Sequence, residues 1–163
     1  MNIDAISPQP VTGLKALDRP DDQGRIINLS WQPSTEIDFS HYNIYVSRDV
    51  PIAISKDRPI NIEPAKSDIY DKNKTSVEVK VEDNLVDYYF AITAVDIMGN
   101  ESLLDKNGGS VAGPVQAKDD LLPTPVKVVS AVDRGNDYGG VIILSWTDVN
   151  IDEDFVKYNV YQD

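Results

Sequence analysis

A chain of 163 residues with 27 acidic and 15 basic side chains, a net charge of −12, no cysteine and one histidine excludes much chemistry at the outset. Nucleic acids and anionic membrane faces require Lys/Arg to meet phosphate, and thiolate catalysis, disulfides and Cys-ligated metals require a residue that is missing. What the acidity does permit is a hard, oxygen-ligated cation such as calcium.

Residues 1–8 read as a tail. The start of the chain has neither the basic segment nor the apolar run of a signal peptide. No stretch approaches the ~18 consecutive apolar residues of a membrane helix, so no membrane insertion is expected. Asp21, Asp22, Gln23 and Gly24 then form a turn before a strand in which Ile27, Leu29 and Trp31 alternate with Asn28 and Ser30. Tyr42, Asn43, Ile44, Tyr45 and Val46 supply the aromatic and β-branched content of a further strand.

Residues 49–74 break the even spacing. Pro51, Pro59 and Pro64 are interspersed with charges and with Ile52, Ile54, Ile60 and Ile62. The segment reads as one edge strand within a long excursion, a decorated loop rather than a binding lid. Period-two alternation returns over 76–81 and 88–95, the latter ending in a turn with Asp96, Gly99 and Asn100, and a last strand lies near 109–117. No segment carries helical periodicity with caps. The fold class is all-β, an immunoglobulin-like sandwich.

The strongest signal is an internal repeat. Asp18, Asp22, Gly24, Leu29 and Trp31 recur at an offset of 115 as Asp133, Asp137, Gly139, Leu144 and Trp146. Phe39, Tyr42, Asn43 and Tyr45 recur at an offset of 116 as Phe155, Tyr158, Asn159 and Tyr161. The expected organisation is one module over 9–118, a linker over 119–125, and the first three strands of a second module over 126–163. Such a half-sandwich would expose Leu144, Trp146, Tyr158 and Val160. Either further strands follow in a longer chain, or strand exchange with a neighbour completes the module.

Trp31, the Tyr42–Tyr45 group, Leu85, the alternating Tyr88, Phe90, Ile92 and Ala94, and the Gly99, Asn100, Glu101, Ser102 loop together resemble the fibronectin type III family, in its bacterial and archaeal surface-protein style. The resemblance implies a tandem of such modules, a tyrosine corner at Tyr88, and core roles for Trp31, Tyr42, Leu85, Tyr88, Phe90, Trp146 and Tyr158. Physical reasoning supports it separately: a strand Trp at core parity fills the space between sheets, and a buried Tyr needs a hydroxyl partner.

Acidic residues cluster in turns. In the expected topology Asp18, Asp21 and Asp22 share one end of the first module with Glu82, Asp83 and Asp87, and the linker leaves from there through Asp119 and Asp120. With Asp152 and Asp154 facing them from the second module, these carboxylates are the candidate calcium ligands, and the ion would stiffen the junction. Asp18 and Asp22 alone, repeated as Asp133 and Asp137, form a local alternative. Solvated turns explain the same residues without any ion.

Catalysis finds little support. His41 is replaced by Lys157 in the repeat, as suits a solvent-facing position, and neither Gly108-Gly109 nor Gly139-Gly140 opens a helix that could cradle phosphate. The reading is a non-catalytic spacer, assembly or adhesion module of a multi-domain extracellular or surface protein, engaged in protein–protein contact or self-assembly. The alternatives are an accessory module of a secreted hydrolase, and a filament or virion component completed by a neighbouring chain.

Overall fold

Short alternating runs separated by turn residues fold into eleven strands among the described residues, which are 6–105, 107–127, 129–147 and 155–161 of the computed structural model. The described residues include no helix. Two units divide the chain, Met1–Asp120 and Leu121–Asp163.

In the first unit, β1 (Lys15–Asp18), β2 (Ile26–Ser30) and β7 (Ser76–Lys80) form a three-stranded antiparallel sheet in the order β1-β2-β7. A four-stranded antiparallel sheet takes the order β6-β3-β8-β9, from β3 (Phe39–Arg48), β6 (Lys66–Ile69), β8 (Tyr88–Asp96) and β9 (Val111–Val115). The core lies between the two sheets. Ile27, Leu29 and Trp31 meet Tyr42, Ile44, Phe90, Ile92 and Ala94, all of them buried. The result is an all-β sandwich.

Aromatic geometry organises that core. The Trp31 ring stands edge-on to Tyr42 at 5.4 Å, and Phe39 lies 4.6 Å from the same ring. The Tyr42 hydroxyl accepts from Ser34 N at 2.7 Å and donates to Lys72 O at 2.9 Å, so a buried phenol keeps its polar tip satisfied.

Strand β8 is buried on both faces rather than on alternate residues. Two segments cover its outer face, the 49–74 excursion and the loop after β8. The excursion holds the edge strand β6 and also a tight hairpin of β4 (Ile54–Ser55) and β5 (Arg58–Pro59). Ile52 from this segment and Leu104 pack on Tyr45 and Ala91, forming a second apolar cluster on the outer face of the four-stranded sheet. The excursion is therefore part of the packed structure. Ile54 and Ile60 stay exposed.

Gly113 shows why β9 changes register against β8. Its φ of 123° lies where L side chains are strained, and a Cβ there would sit 2.7 Å from Tyr88 O.

Leu85, expected in the core, is 68% exposed. It occupies a turn with φ 60°, and its backbone N donates to Ala117 O at 2.9 Å. Main-chain geometry rather than burial gives this leucine its place.

The second unit contains β10 (Val129–Asp133) and β11 (Ile142–Trp146), paired antiparallel with Val129 opposite Trp146. Its aromatic trio copies the first: Trp146 to Tyr158 at 5.1 Å and 68°, Phe155 to Tyr158 at 4.7 Å and 51°, against 69° and 53° in the first unit. The repeat is thus visible in side-chain geometry. Its burial is not copied. Every residue of β10 and β11 is exposed, Trp146 included, and Tyr158 is only half-buried. The expected third strand carries no ladder over 155–161. In the first unit the equivalent β3 pairs with β6 and β8 and not with β2, and the described residues of the second unit supply no such neighbours.

Candidate functional site

The acidic turns of the first unit do gather at one end. Asp18 Oδ1 accepts from Lys118 N at 3.0 Å, and Asp22 N donates to Asp120 Oδ1 at 3.1 Å while Asp22 O accepts from Asp120 N at 3.1 Å. The third turn joins through Asn84, which accepts from Arg25 N at 2.6 Å and donates to Gln23 O at 3.2 Å. Backbone N–H groups donating to the Asp18 and Asp120 carboxylates, together with the Asn84 amide, therefore hold this end together.

The remaining carboxylates are engaged separately. Glu82, Asp83 and Asp49 surround the Arg48 guanidinium at 3.2, 2.6 and 3.3 Å, and Asp87 Oδ1 accepts from Gln116 Nε2 at 2.7 Å. Asp21 sits in the turn at φ 58°. Asp119 has an interaction of its own. Among the described residues no group of three or more His, Cys, Asp or Glu side chains is arranged to hold a metal ion. Asp152 and Asp154 lie outside the described residues.

Tyr88 makes the corner that the resemblance implied. Its hydroxyl accepts from Asp83 N at 3.0 Å and donates to Asp83 O at 3.3 Å, tying the turn before β8 to the strand itself. His41 is half-buried beside Ser40 Oγ at 3.0 Å and 6.0 Å from the Tyr70 ring.

One polar centre has no counterpart among the sequence candidates. Glu101 Oε1 accepts from Asn43 Nδ2 at 3.0 Å, from the Tyr45 hydroxyl at 2.6 Å and from Thr93 Oγ1. Asn43 and Thr93 face each other across β3 and β8, and Tyr45 lies two residues along on the same outer face. Burial by itself would raise the Glu101 carboxyl. The three donors and the charge of Arg58 outweigh it, so the group stays below the ordinary glutamate range. Tyr45 moves the other way, pushed up by burial and by the adjacent carboxylate. The cluster locks the loop after β8 onto the outer sheet face. Its sequence signal was the pairing of Asn43/Tyr45 with Asn159/Tyr161, polar and amphipathic residues repeated at one strand parity.

A cleft of about 460 Å³ runs along the side of the sandwich between β7 and the β3–β6 edge, floored by Val46, Val79 and Val81. Among its rim charges, Arg48 pairs with Glu82 at 3.2 Å and Lys66 with Asp68 at 2.8 Å. No set of titratable groups converges on a point within it.

No family model matches the chain, and no curated protein matches it. Among solved structures, a Fn3-like protein from Clostridium thermocellum aligns with a TM-score of 0.44 and 19% identity, over 68% of this chain and 91% of that one. The Clostridium perfringens spore cortex lytic enzyme SleM aligns with a TM-score of 0.39 and 22% identity, over 62% of this chain and 29% of that one. The chain thus spans less than a third of SleM. The sandwich is established by the strand pairing described above.

Proposed function

We propose that the chain is a non-catalytic structural and interaction module of a multi-domain extracellular or surface protein, a spacer, assembly or adhesion unit. The observation behind this reading is how the buried ionisable groups are used. Glu101 and Asp96 spend their hydrogen-bonding capacity on neighbouring side chains and turn amides. A general acid or base needs the opposite, a carboxyl facing substrate with its proton affinity free to act.

Mechanical resistance follows from the topology. β3 and β8 share the longest ladder, Phe39 to Arg48 against Asp96 to Tyr88, and both faces of that ladder are covered. Pulling a single molecule from its two ends should give one discrete unfolding event for the first unit, with refolding on relaxation. Gradual extension without a defined force peak would overturn the spacer reading.

A further inference from the structure

Asn107 and Gly108 are the one Asn–Gly pair in the sequence. Both are exposed, in the turn that leads into β9. An asparagine amide is a thermolabile group, and a glycine after it leaves the next main-chain nitrogen uncrowded. Gly108 sits at φ 85°, where a Cβ would meet only Val111 at 4.0 Å, so the space around it is open. The Asn107 side chain makes no hydrogen bond among the described residues, whereas the amides of Asn43, Asn84 and Asn100 are all held.

The same turn seats the N-terminal segment on the sandwich. Asp105 Oδ1 accepts from Asn107 N at 3.0 Å, Asp105 Oδ2 accepts from Gly109 N at 3.2 Å, and Asp105 N donates to Ser110 Oγ at 2.8 Å. The buried Ser110 hydroxyl donates in turn to Val11 O, and Gly109 O accepts from Leu14 N at 2.8 Å. Val11 and Leu14 belong to the core between the sheets. One turn thus latches residues 11–14 to the start of β9.

We propose that Asn107 is a self-modification site, converted to isoaspartate without an enzyme, and that the product unlatches residues 11–14 from β9. The Gly108 nitrogen attacks Cγ of Asn107. A C–N bond forms, the side-chain nitrogen leaves as ammonia carrying the Gly108 proton, and a succinimide ring joins the two residues. Water then adds at one of the two ring carbonyls. Opening the ring on one side gives aspartate, and opening it on the other gives isoaspartate, whose main chain runs through Cβ and Cγ. Gly108 N donates to Asp105 O at 3.0 Å, so reaction begins when this bond opens, and local opening of the turn sets its rate. Isoaspartate lengthens the main chain by a methylene inside the turn. The spacing that lets Asp105 hold both Gly109 and Ser110 is then lost, and with it the grip on Val11 O and Leu14 N. The inference stands apart from the spacer reading.

The test incubates the whole folded chain in mildly alkaline buffer at physiological temperature and follows it by peptide mapping. Isoaspartate is read by methyl transfer from an isoaspartyl methyltransferase. Asn107 should convert before any other asparagine, and Asn107→Gln should abolish the signal. In hydrogen exchange of the aged protein the Leu14 amide should lose about tenfold in protection, as loss of one hydrogen bond predicts, with the amides of β3 and β8 unchanged. Asn107→Asp adds the charge without lengthening the main chain, and should keep Leu14 protected. An Asn107 amide that stays intact in the folded chain, while a peptide of residues 103–112 converts, overturns the site. Conversion that leaves Leu14 protection unchanged overturns the latch, as does an equal loss of protection in Asn107→Asp.

Discussion

Glu101 is the residue on which the outer face of the larger sheet turns. One carboxylate oxygen takes three donors from two strands, and Asp96 nearby accepts from Met98 N, Asn100 N and Asn100 Nδ2, each at 2.8 Å. Burial would raise both carboxyls; the donors outweigh it and hold both below their ordinary values of 4.5 and 3.8. Groups with depressed folded pKa values stabilise the fold above the unfolded values, and that contribution is lost as pH falls through the folded ones. Urea midpoints should therefore hold steady from neutral pH to about 5 and decline below it. Glu101→Gln should cost about 1–3 kcal/mol at neutral pH, and the variant should lose less stability than wild type on acidification. Equal acid sensitivity in both would contradict the assignment. Tyr88→Phe removes both corner hydrogen bonds and should cost about 1–2 kcal/mol, measured by the same titration, with the fold unchanged.

At the scale of elements, alternation and turn chemistry made most strands legible. Ile27, Leu29 and Trp31 pointed inward as period two demands, and Asp21–Gly24 marked the turn before them. The two faces of β8 were not legible, because a strand covered on both sides loses its alternation only when something covers it. That cover is shared by Glu101 and Leu104 of the loop after β8 and by the 49–74 excursion, whose prolines and charges resemble a loop while Ile52 anchors it to Tyr45 and Ala91. Leu85 misled for a related reason: an apolar residue beside a corner tyrosine looks like core, yet its positive φ turns it outward. Ile52→Ala should accordingly cost about 2–4 kcal/mol, whereas Ile54→Ala, at a side chain already 47% exposed, should change stability by less than about 0.5 kcal/mol. Thermal melts of the two variants check the contrast; equal losses would mean that the hairpin, and not Ile52 alone, carries the packing.

For the whole molecule, the internal repeat was legible in sequence and recurs in the geometry of both aromatic trios, but burial could not be read from it. Identical residue types are buried in one unit and exposed in the other because burial depends on the strands that lie opposite. The acidic turns teach a similar lesson. Their convergence at one end of the first unit followed from topology, while what joins them, Asn84 and backbone amides, is a matter of local geometry that charge counting does not see.

The central claim is that the first unit is a self-sufficient sandwich, whereas the described strands of the second unit, β10 and β11, are exposed along their whole length. Native-state hydrogen exchange tests this most directly, because protection follows the stability of each cooperative unit. Amides of β3 and β8 should exchange together and slowest, at the rate set by global unfolding of the first unit, while those of β10 and β11 should exchange orders of magnitude faster. Protection of β10 and β11 equal to that of β3 and β8 in dilute, monomeric protein would contradict the account.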